Sequence, residues 1–382
     1  MATPSWRKFI LFVLKLLVSG NTSLPHPAAL PPVVQSSSPP TNAILKGMPW
    51  PIQRDGGGGG TVAGQHIINF SDTSTLNEDD KKKAGYYPFV SNTIVTTSAM
   101  LRQLGFQDGK TLTDYGSDGF AKQQWPFDGT ETSTAGRRVG IWPDTNIVSA
   151  CDGQCGYTVS SVVDISRIPP YHPTDLYSTL AKITIGADGP SVERVVPRMW
   201  YANEINYGLY GLARARDDSD DIFMFGAPKG AFGIKVARVA EDSIRDRSKY
   251  IFWNGKEWAT TSPAANDASA NIFNYRSGDY GVGTGDVFWS NYYNTWLAVF
   301  NDEFTVDDTF KLMYSTNGAI TGPWSTVAQN VTVTPGCSGS DCAVSYNYNS
   351  HAYPDIDTTG KTLLLGWIYN GTTTQFTTIT FK

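Results

Sequence analysis

The segment Asp221-Ile-Phe-Met-Phe-Gly226 leads through a short turn to Gly233-Ile-Lys-Val-Ala-Arg-Val239 and sets the pattern for most of the chain. A second unit has the same character, since Trp296-Leu-Ala-Val-Phe300 leads to Phe310-Lys-Leu-Met-Tyr-Ser315 and Gly322-Pro-Trp-Ser325. Each unit joins short apolar segments of β type through polar turns. Because such units recur at roughly 50 to 70 residues, the spacing favours propeller blades over a sandwich.

Comparable apolar segments lie between glycine, asparagine and aspartate turns elsewhere in the chain. They are Ile67–Phe70, Arg138–Trp142, Tyr157–Ile165, Arg194–Trp200, Val287–Ser290 and Thr362–Tyr369. Helical periodicity is hard to find after the first residues. We therefore predict an all-β protein with a five-bladed β-propeller as a single domain over residues 48–382, because about 330 residues supply five blades at this spacing.

The N-terminal residues have the features of an export signal. Arg7 and Lys8 precede an apolar segment from Phe9 to Val18 that is too short to span a bilayer. We predict a secretory signal peptide over residues 1–28 and a flexible Pro- and Ser-rich lead-in over residues 29–47. We expect a secreted, extracellular protein, a monomer without membrane attachment in its mature form.

The composition fits a sugar-binding protein better than a nucleic-acid-binding one. The net charge of −5 argues against nucleic acid or an anionic membrane as a partner. Aromatic residues make up 13% of the chain, and their faces stack well on sugar rings. A polysaccharide or oligosaccharide is therefore the expected partner.

Cysteines and sequons fit the export prediction. The cysteines form two close pairs, Cys151 with Cys155 and Cys337 with Cys342, which predict two local disulfides, with a four-cysteine metal site as the alternative. Glycosylation is predicted at three sequons, which begin at Asn69, Asn330 and Asn370. Since no P-loop or dinucleotide fingerprint occurs and histidines are few, we expect neither a cofactor nor a metal.

The most unusual stretch is Met48-Pro-Trp-Pro-Ile-Gln-Arg-Asp55, followed by five glycines and by Thr61-Val-Ala-Gly-Gln-His-Ile-Ile-Asn-Phe-Ser-Asp-Thr73. Consecutive glycines cost stability unless the backbone bends sharply or approaches another group closely. Asp55 and Asp72 bracket this glycine run, which is a layout for a sugar-cleaving site. The alternative is a linker with turn-forming aspartates, against which Trp50 and Ile52 supply flanking apolar residues.

Glycosidases need one protonated and one ionised carboxyl beside the scissile bond. We predict Asp55 and Asp72 as the catalytic acid and base. Arg54 could keep a neighbouring carboxylate ionised through its opposite charge. Glu204 and Asp286 are alternative catalytic or pKa-tuning residues, although a structural pair with an arginine would also explain Glu204, and a turn would explain Asp286.

Substrate-binding candidates are polar or aromatic residues near these carboxylates, several of them in the segment Arg198-Met-Trp-Tyr-Ala-Asn-Glu-Ile-Asn-Tyr207. The candidates are Arg54, Asn92, Trp142, Trp200, Tyr201, Asn206, Tyr207 and His351. His351 could line a channel mouth, or it could be a structural histidine with its hydrogen bonds satisfied.

Several passages resemble a secreted microbial family that contains endo-D-arabinanases and was long known only as a domain of unknown function. The similar passages are Val239–Trp258, Gly283–Phe300, Tyr314–Ser325, Ser350–Trp367 and the Asp55–Thr73 stretch. The resemblance implies a five-bladed β-propeller whose active site lies at the mouth of the central channel. It also implies that Asp55 and Asp72 are the acid and base. Many relatives carry glutamate at the position of Asp286, so that substrate or activity could differ here.

The leading hypothesis is a secreted glycoside hydrolase that cleaves an arabinan-like polysaccharide. A non-catalytic carbohydrate-binding propeller is the second hypothesis, in which the aspartates only accept hydrogen bonds from sugar hydroxyls. An adhesive wall protein is the third, and it should show a broad exposed apolar patch.

Overall fold

The computed structural model describes most of the chain. The described residues are 29–42, 52–75, 89–96, 122–168, 172–217, 219–228, 232–275, 283–301, 309–326, 329–332, 347–369 and 373–382. The predicted signal peptide over residues 1–28 and the predicted glycosylation site at Asn370 lie outside these ranges.

The chain forms a five-bladed β-propeller, as predicted. Two short strands come first, β1 (Val34–Ser37) and β2 (Thr41–Asn42). Blade 1 follows with β3 (Ile52–Arg54), β4 (Gly58–Val62), β5 (Gln65–Phe70), β6 (Thr73–Thr75), β7 (Phe89–Val90) and β8 (Thr93–Thr96). Blade 2 contains β9 (Arg137–Trp142), β10 (Val148–Ala150), β11 (Cys155–Ser166), β12 (Pro173–Gly186) and β13 (Gly189–Tyr201).

The other three blades are simple antiparallel meanders. Blade 3 contains β14 (Gly211–Arg214), β15 (Asp221–Gly226), β16 (Lys235–Ala240), β17 (Ile251–Trp253) and β18 (Trp258–Ala259). Blade 4 contains β19 (Gly285–Ser290), β20 (Thr295–Phe300), β21 (Thr309–Tyr314) and β22 (Gln329–Thr332). Blade 5 contains β23 (Asn347–Tyr353), β24 (Thr362–Tyr369) and β25 (Thr373–Phe381). The apolar segments noted in the sequence lie on these strands, although β16 begins only at Lys235.

The inner strands β4, β10, β14, β19 and β23 contact one another in this order, and β23 returns to β4. The first strand of each blade therefore surrounds the central axis. Among the described residues, short 3-10 helices lie between strands at Glu241–Ser243, Arg247–Lys249, Ala268–Ala270 and Pro354–Ile356. In the same part of the chain, no helix has the length and apolar character needed to cross a membrane.

The N-terminal segment closes the ring. Strand β1 pairs antiparallel with β25, the last strand of the chain, and β2 pairs with the same strand. The prediction of a flexible lead-in over residues 29–47 is therefore wrong for residues 34–37 and 41–42, and the propeller begins before residue 48. The physical reason is that β25 would otherwise present an unpaired edge, and β1 supplies its hydrogen-bond partners.

Apolar residues pack in five clusters, one at each junction between neighbouring blades. Aromatic side chains fill much of this space, as in the contacts of Trp200 with Tyr207, Tyr250 and Phe252 between blades 2 and 3. The same holds between blades 3 and 4, where Phe223 packs on Trp296. The high aromatic content of the sequence is thus used largely in the core.

The two predicted disulfides have different outcomes. The first cysteine pair forms its bond, Cys151–Cys155, in the turn between β10 and β11. The second pair, Cys337 and Cys342, lies outside the described residues, in the segment between β22 and β23. The Cys337–Cys342 disulfide is therefore not among the bonds that the structure shows, and it stays a prediction from the sequence.

The predicted glycosylation sites also differ from one another. Asn330 is exposed, as its predicted glycosylation requires. Asn69 is fully buried, and its side-chain amide donates to the carbonyl oxygens of Pro143 and Thr145. The glycosylation predicted at Asn69 is therefore wrong, because this fold leaves no room for a glycan there.

The glycine run is part of a strand and not a linker. A Cβ atom at Gly58 would lie 1.9 Å from the Thr145 carbonyl oxygen, and one at Gly60 would lie 2.0 Å from that of Ile147. Ile147 N also donates to Gly59 O at 2.9 Å. Only glycine allows blade 1 to approach blade 2 this closely, which explains the unusual sequence.

Candidate active site

The three strands of blade 1 are interrupted at one level. Strands β3 and β4 are separated by Asp55–Gly57, β5 and β6 by Ser71–Asp72, and β7 and β8 by Ser91–Asn92. Across the interruption, Asp55 N donates to Asp72 O at 2.8 Å, and Ser71 N donates to Asp55 O at 2.7 Å. The backbones of the two predicted catalytic residues are therefore held side by side.

Blade 2 is interrupted in a similar way. Strands β9 and β10 both pair with β11, and Pro143–Ile147 bulges out between them. This bulge carries Asp144, whose Oδ1 atom accepts a hydrogen bond from Ser71 Oγ of blade 1. The interruptions of blades 1 and 2 thus bring Asp55, Asp72 and Asp144 together near the centre of the ring. We refer to these three residues as the aspartate cluster.

Asp55 has a strongly raised pKa within this cluster. Burial raises the pKa of Asp55 to about 7, and the neighbouring Asp144 and Asp72 carboxylates add to this shift, while hydrogen bonds from Tyr348 and Gly56 oppose it. Within the described residues both hydrogen bonds reach the same oxygen, Oδ1, from Gly56 N at 2.7 Å and from Tyr348 Oη. Its Oδ2 atom is therefore the oxygen left for a ligand.

Asp72 has a different environment because it is paired with a cation. Arg138 donates to both of its oxygens, and Trp142 Nε1 donates to Oδ1 at 2.9 Å. Burial raises the pKa of Asp72, and the charge and hydrogen bonds of Arg138 act in the opposite direction. A two-pronged guanidinium contact fixes the orientation of the carboxylate and favours its ionised form.

Asp144 completes the cluster. Burial raises its pKa to about 6, while Ser71, the nearby His351 and the Asn349 amide favour its charged form. The sequence analysis missed Asp144, Arg138, Tyr348 and Asn349. A signal for Asp144 was present, because it follows a predicted strand in Trp142-Pro-Asp144 as Asp72 follows another strand, but a turn explained it equally well.

Asp286 and His351 lie deeper on the axis than predicted. Both side chains are about 2% exposed and are bonded to each other, with His351 Nδ1 3.0 Å from Asp286 Oδ2. Ala352 N also donates to Asp286 Oδ2 at 2.8 Å. Neither side chain is exposed as a direct catalytic role for Asp286 or a substrate contact for His351 would require, and His351 has the satisfied hydrogen bonds of the structural alternative. A pKa-tuning role for Asp286 stays a prediction.

Several other predicted binding residues are structural. Asn92 is buried and bonds Ile141 O, Gln124 N and Trp125 N, because it bridges the interruption of blade 1 to the next segment. Trp200 and Tyr207 belong to the core between blades 2 and 3, where Trp200 Nε1 donates to Tyr207 O. The direct sugar contacts predicted for these three residues are wrong, because packing and backbone hydrogen bonds already occupy their side chains.

Two arginine contacts settle the positions of the remaining charged candidates. Arg54 is buried, with its guanidinium 4.7 Å from the centroid of the Phe70 ring, so it is not at a surface as its predicted binding role requires. Glu204 pairs with Arg247 and accepts a hydrogen bond from Tyr201 N at 2.8 Å. The structure thus supports the alternative of an arginine pair for Glu204, away from the aspartate cluster.

A groove of about 300 Å³ is lined by residues in or next to blades 2, 3 and 4. Its lining includes Asp175, Tyr177, Glu204, Asn206, Tyr210 and Thr284, and none of the three aspartates of the cluster is among the lining residues. Tyr201, next to this groove in sequence, is 48% exposed, so that its ring remains available for a ligand. The structure thus combines closely spaced carboxyls with a cavity of the size that small-molecule sites have.

Comparisons with known proteins show the fold and no more. No protein-family model matches the chain, and no curated protein sequence matches it. A solved structure described as a putative hydrolase from Bacteroides ovatus is similar, with a TM-score of 0.59, 12% identity, and coverage of 88% of this chain and 87% of that chain. The catalytic domain of a GH62 α-L-arabinofuranosidase from Coprinopsis cinerea superposes with a TM-score of 0.44, 12% identity, and coverage of 93% and 98%. At 12% identity, the similarity to the Bacteroides ovatus structure shows a shared fold and leaves the chemistry to the side chains.

Proposed function

We propose that the protein is a secreted glycoside hydrolase that cleaves an arabinan-like polysaccharide. The observation that carries this proposal is the aspartate cluster, in which Asp55 retains a proton to about pH 7 beside two further carboxyls. One protonated and one ionised carboxyl are what hydrolysis of a glycosidic bond requires. The arabinan class of substrate comes from the resemblance of the sequence to endo-D-arabinanases, and the Cys151–Cys155 disulfide supports export to an oxidising compartment.

In the proposed reaction, Asp55 is the general acid. Its proton passes to the glycosidic oxygen as the bond between that oxygen and the anomeric carbon breaks. A water molecule then forms a new bond to the anomeric carbon, and its proton passes to an ionised carboxylate. We assign that role to Asp72, because Arg138 holds the carboxylate in one orientation and favours its charge.

Asp144 supports the acid without transferring a proton itself. Its negative charge next to Asp55 opposes the ionisation of Asp55, which is one of the causes of the raised pKa. A proton donor with a pKa near the working pH combines a high protonated fraction with ready transfer. The three aspartates therefore have separate roles in the proposal, as acid, as base and as the charge that keeps the acid protonated.

The groove lined by Tyr177 and Glu204 is the proposed binding site for the sugar chain, to be reached by a chain that extends from the cluster. Tyr177 and the neighbouring exposed Tyr201 offer aromatic surface, while Asn206 and Glu204 contribute polar groups. Sugars are bound through this combination of flat apolar contacts and hydroxyl hydrogen bonds.

The test is incubation of the purified protein with arabinans and with other pentose- and hexose-containing polysaccharides, followed by measurement of released oligosaccharides. Wild type should release fragments, while Asp55→Asn and Asp72→Asn should remain folded and lose the activity. Asp164→Asn is a matched control, because it removes an aspartate whose ion pair with Arg137 is partly exposed on blade 2.

Retention of full activity in both variants would refute the assigned roles. Binding of a glycan without any cleavage would refute the hydrolase and leave the carbohydrate-binding propeller as the function. Equal loss of activity in the Asp164→Asn control would show that the assay responds to stability and not to the cluster.

A further inference from the structure

Ser71 lies between the two blades that form the aspartate cluster. Its backbone N donates to Asp55 O at 2.7 Å, and its carbonyl oxygen accepts from Thr73 Oγ1 at 2.9 Å. Its hydroxyl reaches from blade 1 to blade 2 and donates to Asp144 Oδ1. The residue is buried, so these bonds are shielded from water. Ser71 therefore ties the backbone of Asp55 to the carboxyl of Asp144.

Gly56 is in contact with the same two carboxyls. Its backbone N donates to Asp55 Oδ1 at 2.7 Å. A Cβ atom at this position would overlap Asp144 Oδ1 and would lie 3.1 Å from Ser71 Oγ. The Asp144 carboxyl thus occupies the space that a side chain at position 56 would need, and the φ of +75° also favours glycine there.

The hydrogen bond from Ser71 has an electrostatic consequence. Burial raises the pKa of Asp144, and the Ser71 hydroxyl opposes this rise because it donates to the charged form. Burial also raises the pKa of Asp55, and the negative charge of Asp144 adds to that rise. The position and the charge of Asp144 therefore both act on the proton of Asp55.

We propose that Ser71 is a positioning residue that holds the ionised Asp144 next to Asp55, in a space that glycine at position 56 leaves open. Because Ser71 is buried, it acts through Asp144 and not on the substrate. The proposal deepens the proposed function and rests on it only for the effect on cleavage. The contacts of Ser71 and Gly56 with the two carboxyls are independent of any substrate.

Other titratable groups also face these carboxyls. Asp72 lies beside them in blade 1, and Tyr348 and His351 lie near them in blade 5. Replacing Ser71 leaves all of these groups in place, so a change in the titration of the cluster can be assigned to the lost hydroxyl. A merely structural role of Ser71 would change stability without moving the midpoints of two carboxyls in opposite directions.

The test is a ¹³C NMR titration of aspartate carboxyl groups in the full-length protein, with Asp55→Asn and Asp144→Asn used to assign the two resonances. Ser71→Ala removes the donor, so it should raise the midpoint of Asp144 by about one unit or less. The midpoint of Asp55 should fall, because a proton on Asp144 removes the repulsion. Ser91→Ala is the matched control, because Ser91 is buried at another interruption of blade 1 and bonds Gln123 Oε1 instead.

A second pair of variants tests the space at position 56. Gly56→Ala should displace the Asp144 carboxyl and lower the midpoint of Asp55, because the two charges then lie farther apart. Gly64→Ala is the control, since Gly64 has a similar φ of +72° and an added Cβ atom would meet nothing within 4 Å. It introduces the same backbone strain without the contact, so it should leave both midpoints unchanged.

Unchanged midpoints in Ser71→Ala, or the same shifts in Ser91→Ala, would overturn the role of Ser71. No shift in Gly56→Ala, or an equal shift in Gly64→Ala, would overturn the role of position 56. If Gly56→Ala does not fold by near-ultraviolet circular dichroism, Ser71→Ala alone decides. The titration needs no substrate, so a protein that cleaves no glycan would refute the proposed function while the role of Ser71 is still tested. In an active enzyme, the alkaline limb of kcat against pH should move to lower pH in Ser71→Ala, with KM unchanged.

Discussion

Glu131 at the outer edge of blade 2 and Asp55 at the centre of the ring are both carboxyls that the fold withdraws from water, and they respond in opposite ways. Glu131 forms a two-pronged ion pair with Arg194, whose side chain is 4% exposed against 1% for Glu131, and it accepts a hydrogen bond from Tyr177. Burial alone would raise the pKa of Glu131, yet these partners hold it below its usual value. Asp55 faces carboxylates instead, and its pKa rises to about 7.

The difference shows that burial raises the pKa of both carboxyls and that their partners decide whether the rise remains, since an arginine reverses it for Glu131 and neighbouring carboxylates add to it for Asp55. In blade 3, too, acids are neutralised in pairs, as in Arg238 with Asp221 and Arg214 with Glu241. At the centre, the three aspartates of the cluster lie next to one another. An arrangement that raises pKa values costs stability, so it is expected where a reaction requires it.

The largest effect should follow from removing the acid at the centre. Asp55→Asn should lower kcat on the cleaved polysaccharide by about 10²- to 10⁴-fold, which is the range that general acid catalysis contributes. Glu131→Gln should leave kcat unchanged in the folded fraction of the protein. A similar loss of kcat in both variants would mean that the two carboxyls do not differ in function, contrary to the comparison.

The next effect concerns stability at the outer edge. Arg194→Met leaves Glu131 buried without its partner, so the free energy of unfolding should fall by about 3–5 kcal/mol. Urea denaturation followed by tryptophan fluorescence measures this change. Arg137→Met provides the comparison, because its pair with Asp164 is half exposed and should cost less than about 1 kcal/mol. If the free energy of unfolding falls by less than about 1 kcal/mol in Arg194→Met, the ion pair with Arg194 does not offset the cost of burying the Glu131 carboxylate.

A smaller effect is the dependence of stability on pH. Asp55 and Asp144 bind protons more tightly in the folded protein than in the unfolded chain, with pKa values of about 7 and about 6 against 3.8. The folded state therefore holds more protons between these values, and the free energy of unfolding should fall as pH rises from about 4 to 7.

Asp55→Asn should flatten this fall and stabilise the protein above pH 7 by an amount on the order of a few kcal/mol, while changing little below pH 4. Thermal unfolding across this pH range measures the effect. The opposite result would contradict the raised pKa of Asp55. In that case the free energy of unfolding of wild type would rise between pH 4 and pH 7, and this rise would be absent in Asp55→Asn.

The smallest effect should come from a single hydrogen bond at the centre. Tyr348 donates to the charged form of Asp55, so Tyr348→Phe should raise the pKa of Asp55 by about one unit or less. The alkaline limb of the pH–rate profile should then move to higher pH. Tyr177→Phe, which removes the corresponding hydroxyl from Glu131, should leave that profile unchanged.

The fold could be predicted because its signals are local. The apolar segments between turns correspond to strands such as β15 and β20, and their repetition indicated blades. The ring closure could not be predicted in this way, because the pairing of β1 with β25 joins the two ends of the chain. Nothing in the polar segment around Val34 distinguishes a strand from a lead-in until its partner is known.

The site was predicted in part, for a similar reason. Asp55 and Asp72 flank a run of glycines that the close approach to Thr145 requires. This run is recognisable in the sequence, and it drew attention to the two aspartates. No comparable pattern in the sequence surrounds Asp144 or Tyr348, because contacts between blades bring them to the cluster. The aromatic-rich segment around Trp200 led to a wrong prediction of sugar contacts. Aromatic residues fill a core as readily as they stack on a sugar, so the pattern does not separate the two uses.

The most direct test of Asp55 as the proton donor is the pKa of its carboxyl, measured by ¹³C NMR in wild type and in Asp144→Asn. We expect a midpoint of about 7 in wild type and a lower midpoint once the charge of Asp144 is removed. A wild-type midpoint near the ordinary aspartate value of 3.8, unchanged in Asp144→Asn, would mean that the centre of the ring holds no proton for a reaction.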